Sequence, residues 1–339
     1  MLYPLFFLFN IQSMDGFIRH QQAKQLYNKQ KITHLLSNPH HDNIIIKKLR
    51  NISKLTRSGN IIPTLLLSFS GGWIMNPSIS SLIHSAPFIT SNINAVLIMS
   101  MSMILNDLFD IEVDKLNNPS RPLITGEISK IEAITLSGLL LVIIKYLTNR
   151  YLPGNIQFIT DLILFDLVLY TPILKKITFV KNLNCALIVS FALLYSGLCV
   201  SEHNLLINDK HYNILSIAMN YIFWGSINNE LMMDISDLEG DKQNGIKTLP
   251  VIINKPASLF IVHSILYCNT MSNSLSLAYI YNNIQYGIIP VLLYFPIFID
   301  LLKVRKSKYS PLMITQTLNN SVKPMFLFLL YMCVLSYKL

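Results

Sequence analysis

Apolar segments long enough to cross a bilayer recur from one end of this 339-residue chain to the other, and no other feature restricts its fold as strongly. A spanning helix needs about 20 mostly apolar residues, within a range of about 17–25. Segments of that kind lie at 60–76, 92–108, 131–148, 156–173, 183–200, 212–231, 257–279, 285–303 and 323–338. Lipid offers no partner to an unpaired backbone N–H or C=O, so a spanning segment is a helix or part of a closed barrel. These runs are continuously apolar rather than alternating over ten residues, which argues against the barrel. The expected fold is an all-α membrane protein of about nine transmembrane helices, or eight if one of the more polar segments stays out. Charged residues make up only 13% of the chain, against about 25% in soluble domains.

The net charge of +9 raises the question of a nucleic-acid partner. The basic residues form no single patch, however; they lie between the apolar runs, as loop charges do, so no nucleic acid is expected. With the N-terminus inside, 23 of the 27 Lys and Arg fall on one face: in 1–59, 109–130, 174–182, 232–256 and 303–323. Lys145, Arg150, Lys210 and Lys338 fall on the other. Positive charge accumulates on cytoplasmic loops, which places the N-terminus in the cytosol. Residues 1–59 then form a polar and basic cytosolic segment, partly helical at the surface, ahead of a transmembrane domain at 60–339. The opening run MLYPLFFLFNIQ is too short to span and lacks the flanks of a cleaved signal peptide. Cys185, Cys199, Cys268 and Cys333 lie in or beside apolar stretches without metal or redox spacing.

Two windows carry chemistry. Asn106-Asp107-Leu-Phe-Asp110-Ile-Glu112-Val-Asp114 closes the second span, and Asp234-Ile-Ser-Asp237-Leu-Glu239-Gly-Asp241 closes the sixth. Each sets aspartates at i, i+3 and i+7, within roughly 60° of one another on a continuous helix. Together the windows hold eight of the 18 acidic residues. Clustered carboxylates repel one another and are costly near a membrane. A divalent cation removes that penalty, and Mg2+ commonly links one or two carboxylates to substrate phosphates. Helix capping is a poor explanation, because the acids stand at helix C-terminal ends, where the macrodipole disfavours negative charge. Glu112 and Glu239 lie off the aspartate face. Gly126, Gly240 and Gly245 suit tight turns, and Pro119 and Pro122 keep the loop after the first window from continuing as helix.

NDLFDIEVDKLNNPSRPLITGEIS (106–129) resembles the first signature of the UbiA family of membrane prenyltransferases, and DISDLEGDKQNGIKTLPV (234–251) resembles the second. KLTRSGNIIPTLLLSFSGG (54–72) is similar to the family's first helix, and YTPILKK with KNLN (170–184) to its fourth–fifth helix loop. The likeness covers roughly 54–255. The DLEGD form and the NNPSRPL stretch look most like the branch containing digeranylgeranylglyceryl phosphate synthases.

The resemblance implies nine helices around a central cavity and transfer of a prenyl group from a polyprenyl diphosphate to a lipophilic acceptor. The acceptor would offer an aromatic ring or a glycerol-phosphate-type hydroxyl, with Mg2+ as cofactor. It places Asn106, Asp107, Asp110 and Asp114 in the first metal-diphosphate site and Asp234, Asp237 and Asp241 in the second. It also implies that Arg121 contacts phosphate, that Lys175 or Lys181 does likewise, and that Asn60 faces the cavity. Phe109, Tyr170, Tyr221, Phe223 and Trp224 are candidate aromatic faces for a developing allylic cation. A competing expectation is an ion-coupled transporter or lipid-binding protein that uses the same acids for cations.

Overall fold

A computed structural model describes residues 44–170, 172–174, 177–201, 210–243 and 245–339. The opening apolar run and Lys175 lie outside the described residues. In chain order the helices are α1 (Ile44–Leu55), α2 (Ile61–Met75), α3 (Ile79–His84), α4 (Ala86–Phe109), α5 (Ile111–Asn117), α6 (Lys130–Tyr151) and α7 (Gly154–Tyr170). They continue as α8 (Val180–Val200), α9 (Lys210–Gln243), α10 (Leu249–Ile253), α11 (Lys255–Ile280), α12 (Ile284–Lys306) and α13 (Pro311–Tyr337). Among the described residues nine of these run 15 residues or longer, and none of the chain is strand. Five are long and apolar enough to cross a membrane: α4, α6, α8, α12 and α13. The outward faces are apolar as well. Ile131, Ile134 and Val142 on α6 and Leu292 and Phe295 on α12 are all exposed, as lipid-facing residues must be.

Local chemistry sets the helix starts. Ser85 accepts a hydrogen bond from the Phe88 N–H at 3.3 Å, with Pro87 in the first turn, so α4 begins six residues before the apolar run at 92. At α6, Ser129 and Glu132 form a reciprocal capping box (3.2 and 2.7 Å). Pro311 opens α13, and Pro324 sits inside it; the final helix therefore starts well before the expected 323. Lys145 lies within α6, where it pairs with Asp161 of α7 at 2.5 Å, rather than in an outer loop.

Two main cores hold the bundle, with a small third one between α7 and α8 around Ile156 and Tyr195. The larger joins α2, α8, α9, α11, α12 and α13; the smaller joins α1, α4, α6 and α7. α2 and α8 cross where Gly71 lies so near Leu193 that an added Cβ would fall 1.8 Å from its carbonyl oxygen. Small residues permit such backbone approach, and in lipid that packing replaces much of the hydrophobic driving force. The first and last long helices also meet: Trp73 Nε1 donates to the Cys333 carbonyl at 3.1 Å.

Candidate active site

The first acidic window does not lie on one continuous helix. α4 ends at Phe109, α5 begins at Ile111, and Asp110 is the joint, with φ −91° and ψ 10°. The helix is thus interrupted within the window, yet its first and last aspartates still converge on one cation. Arg121 Nη1 donates to Asp107 Oδ1 at 2.8 Å and also to Asp114 Oδ2, so the two carboxylates share one guanidinium. Arg57 adds a second cation on Asp107 at 3.1 Å, and Asn118 donates to Asp114 at 3.1 Å. Asp107 and Asp114 are both 3% exposed. Burial pushes the Asp114 carboxyl above the ordinary range, with Arg121 pulling the other way. The second window obeys its spacing, since Asp234, Asp237 and Asp241 all belong to the unbroken α9. Lys181 Nζ donates to Asp234 Oδ1 at 2.7 Å, Asn182 to Oδ2 at 2.8 Å, and Thr248 Oγ1 to Asp241 at 2.9 Å.

The loop glycines divide. Gly126 (φ 75°) and Gly245 (φ 69°) occupy the left-handed region that their turns require, but Gly240 is an ordinary helical residue of α9. Arg57 also has positive φ, at 49°. That backbone state is costly for a long side chain, and here the residue so held carries its guanidinium to Asp107.

Next to the two windows lies a partly open cavity of about 1130 Å3, a volume that includes the solvent space at its mouth. Its walls come from α2 (Thr64), α4 (Ala95 to Asn106), α7 (Ile163, Leu167, Tyr170), α8 (Cys185 to Tyr195) and α9 (Ser226, Asn229, Glu230). It sits between the two cores, mostly aliphatic, with Asn106 from the first window and Glu230 just before the second at its polar end. Tyr170 Oη and Cys185 Sγ lie 3.0 Å apart on its wall. Asn60 is 1% exposed, and neither of its amide atoms has a partner. Thr64, one turn on, is likewise buried with an unpartnered hydroxyl.

Of the candidate aromatics only Tyr170 lines this cavity. Tyr221 is fully buried in a stack with Phe328 (centroids 3.6 Å apart), Phe223 packs edge-on to Trp224, and Phe109 is 53% exposed. Packing against α13 claimed the Tyr221 ring, while Phe109 and Trp224 face outward. Phe191 and Tyr195 line the cavity instead; nothing in their apolar run distinguishes them from other core aromatics. Arg57, Asn118, Asn182 and Glu230 also escaped the sequence reading. Two signals were present: Arg57 stands in the loop just before the first span, and Glu230 is an acid inside an apolar run, four residues before Asp234.

Among the described residues no three His, Cys, Asp or Glu side chains converge into a ready metal cage. The donors at the two windows are carboxylate and amide oxygens, which are hard ligands. They suit Mg2+, an ion that keeps waters and completes its shell with phosphate oxygens.

The fold and site define an all-helical membrane bundle with two carboxylate windows, flanked by cations, next to an apolar cavity. Residues 62–331 match the UbiA prenyltransferase family, and the chain belongs to that family. It is 36% identical over 166 residues to digeranylgeranylglyceryl phosphate synthase of Sulfurisphaera tokodaii, covering 48% of this chain and 56% of that protein. The chain thus spans little more than half the length of the curated relatives it first matches. A solved structure described as digeranylgeranylglyceryl phosphate synthase in membranes superposes with TM-score 0.68 at 23% identity, covering 86% of this chain and 99% of that one. A UbiA homolog from Archaeoglobus fulgidus bound to GPP and Mg2+ gives TM-score 0.57 at 19% identity, covering 83% and 98%. These structural likenesses extend the shared fold over most of the chain.

Proposed function

We propose that this protein transfers a prenyl group from a polyprenyl diphosphate to a lipophilic acceptor, releasing diphosphate. The observation that carries this is an apolar cavity whose polar end holds Asn106, next to Asp107, and Glu230, one turn before Asp234, while Arg57, Arg121 and Lys181 bond the carboxylates of the adjoining windows. A diphosphate with a long hydrocarbon tail needs both halves of that arrangement. The named relatives, which are glyceryl phosphate synthases, support a glycerol-phosphate-type hydroxyl as the acceptor.

In this reading Asn106, Asp107, Asp110 and Asp114 on one side, and Asp234, Asp237 and Asp241 on the other, hold magnesium. The bound ion neutralises the leaving diphosphate and eases scission of its carbon–oxygen bond. Arg121 and Arg57 order the first window and hydrogen-bond the diphosphate, for which a guanidinium fork is well shaped. Lys181 does the same from the second side, with Lys175 in the same inner loop. Asn60, whose amide has no partner among the described residues, bonds the diphosphate or the acceptor headgroup. The aliphatic walls hold the tail and exclude water, and Tyr170 turns its ring toward the allylic carbon. Nine helices span the membrane, with the N-terminus and both windows on the cytosolic side. The transmembrane domain from about residue 60, with Arg57 ahead of it, carries the activity.

Ion-coupled transport is the weaker reading, because the acids gather at helix ends together with cations suited to phosphate rather than around a midplane break. The test is purified protein in detergent with Mg2+, labelled prenyl diphosphates and a panel of alcohol and aromatic acceptors. Labelled product and equimolar diphosphate are expected. Absence of both with every donor refutes the proposal.

A further inference from the structure

Glu230 has no role in the two windows, yet its position is specific. It stands four residues before Asp234 on the unbroken α9, so it projects within about 40° of that aspartate and about 6 Å along the axis from it. It is 8% exposed and forms part of the cavity wall. A carboxylate buried in an apolar wall is expensive and marks function more often than packing. Lys181 of α8 lies near enough to attract it, and Tyr170 of α7 lines the same cavity. Thr64 of α2 lines the same cavity, is 1% exposed and holds a hydroxyl with no partner among the described residues. Buried polar groups are nearly always paired, so this hydroxyl points to a polar group of a ligand at that depth.

We infer that Glu230 takes the proton from an acceptor alcohol whose oxygen Thr64 orients, making Glu230 a catalytic residue and a hydroxyl the attacking group. The inference rests on the prenyl-transfer reading and names the acceptor chemistry within it. With the diphosphate held at the level of Asp234, the allylic carbon hangs about one turn deeper, beside Glu230. The carbon–oxygen bond to diphosphate breaks, and its electron pair leaves with the diphosphate. A lone pair of the alcohol oxygen forms the new ether bond to that carbon. The hydroxyl proton passes to the Glu230 carboxylate, which returns it to the departing diphosphate or to water.

The experiment uses the full chain in detergent with Mg2+ and labelled geranylgeranyl diphosphate. A monoprenyl glyceryl phosphate is the acceptor, alongside its analogue with a thiol in place of the hydroxyl. General-base catalysis contributes roughly 100- to 10,000-fold. Glu230→Gln is expected to lose at least about 100-fold in kcat with the alcohol, while KM for the donor holds. With the thiol the loss shrinks to within about tenfold, because a thiol of pKa about 8.5 ionises unaided. Glu230→Asp, which keeps the carboxylate, shows the same alcohol-to-thiol contrast at smaller amplitude and decides the matter if Glu230→Gln does not fold. Equal losses with alcohol and thiol mean a structural role and overturn the inference, as does a wild-type rate with the alcohol. Transfer only to aromatic carbon overturns it too, yet leaves prenyl transfer standing. Failure of the unaltered chain to release diphosphate removes prenyl transfer itself.

Discussion

Replacing Arg121 by methionine keeps the volume of its stem and removes a cation that two buried carboxylates share. The Arg121 side chain is 10% exposed, and those of Asp107 and Asp114 are 4% and 5%. Breaking a buried pair by deleting one partner costs about 3–5 kcal/mol, because the other charge is left stranded. Two features hold this site to the lower bound. Arg57 still reaches Asp107, and Asp114, whose carboxyl burial already pushes upward, can take up a proton. The expected loss is thus about 3 kcal/mol, roughly a hundredfold in the folded-to-unfolded ratio. Adding Asp114→Asn removes the stranded charge while leaving Asn118 beside it, and should return about 1–2 kcal/mol, within the usual range for contacting residues. Thermal unfolding of the detergent-purified proteins measures the stability order: wild type, then double variant, then Arg121→Met. Binding of labelled prenyl diphosphate separates stability from function, since the double variant regains stability without regaining the donor. A double variant that melts no higher than Arg121→Met refutes the buried-charge argument. Wild-type donor binding by Arg121→Met removes Arg121 from the diphosphate site.

Chelation by EDTA should abolish diphosphate release and added Mg2+ restore it. Asp110→Asn with Asp237→Asn should cut turnover at least about a hundredfold with melting unchanged, and full activity in that pair refutes the metal assignment. Gly71→Ala sets a Cβ against the Leu193 carbonyl and should cost about 1–3 kcal/mol by overpacking. Gly138→Ala, with nothing within 4 Å of the new Cβ, should be neutral or up to about 1 kcal/mol stabilising; equal melting points for the two variants would contradict the close α2–α8 crossing. Ala192→Phe pushes a ring into the cavity wall and should move donor preference toward shorter prenyl chains by at least about tenfold, read as kcat/KM across donors of increasing length.

Hydropathy alone identified the long helices found among the described residues, because the need to satisfy backbone groups in lipid acts locally and needs no partner. The two aspartate windows were visible for the same reason: a spacing repeated within eight residues requires no knowledge of what lies across the bundle. Helix ends were partly legible, as Ser85 and Ser129 cap α4 and α6 by chemistry written within four residues. Partners were not. Arg57 and Asp107 stand 50 residues apart, and Lys181 and Asp234 stand 53 apart. Only the folding of α8 against α9, and of the Arg57 loop against α4, brings them within reach. The stacking of Tyr221 in the core rather than at the cavity, and the placing of Glu230 in the cavity wall, were decided in the same way. Periodicity states which face a residue occupies; tertiary packing decides what that face meets.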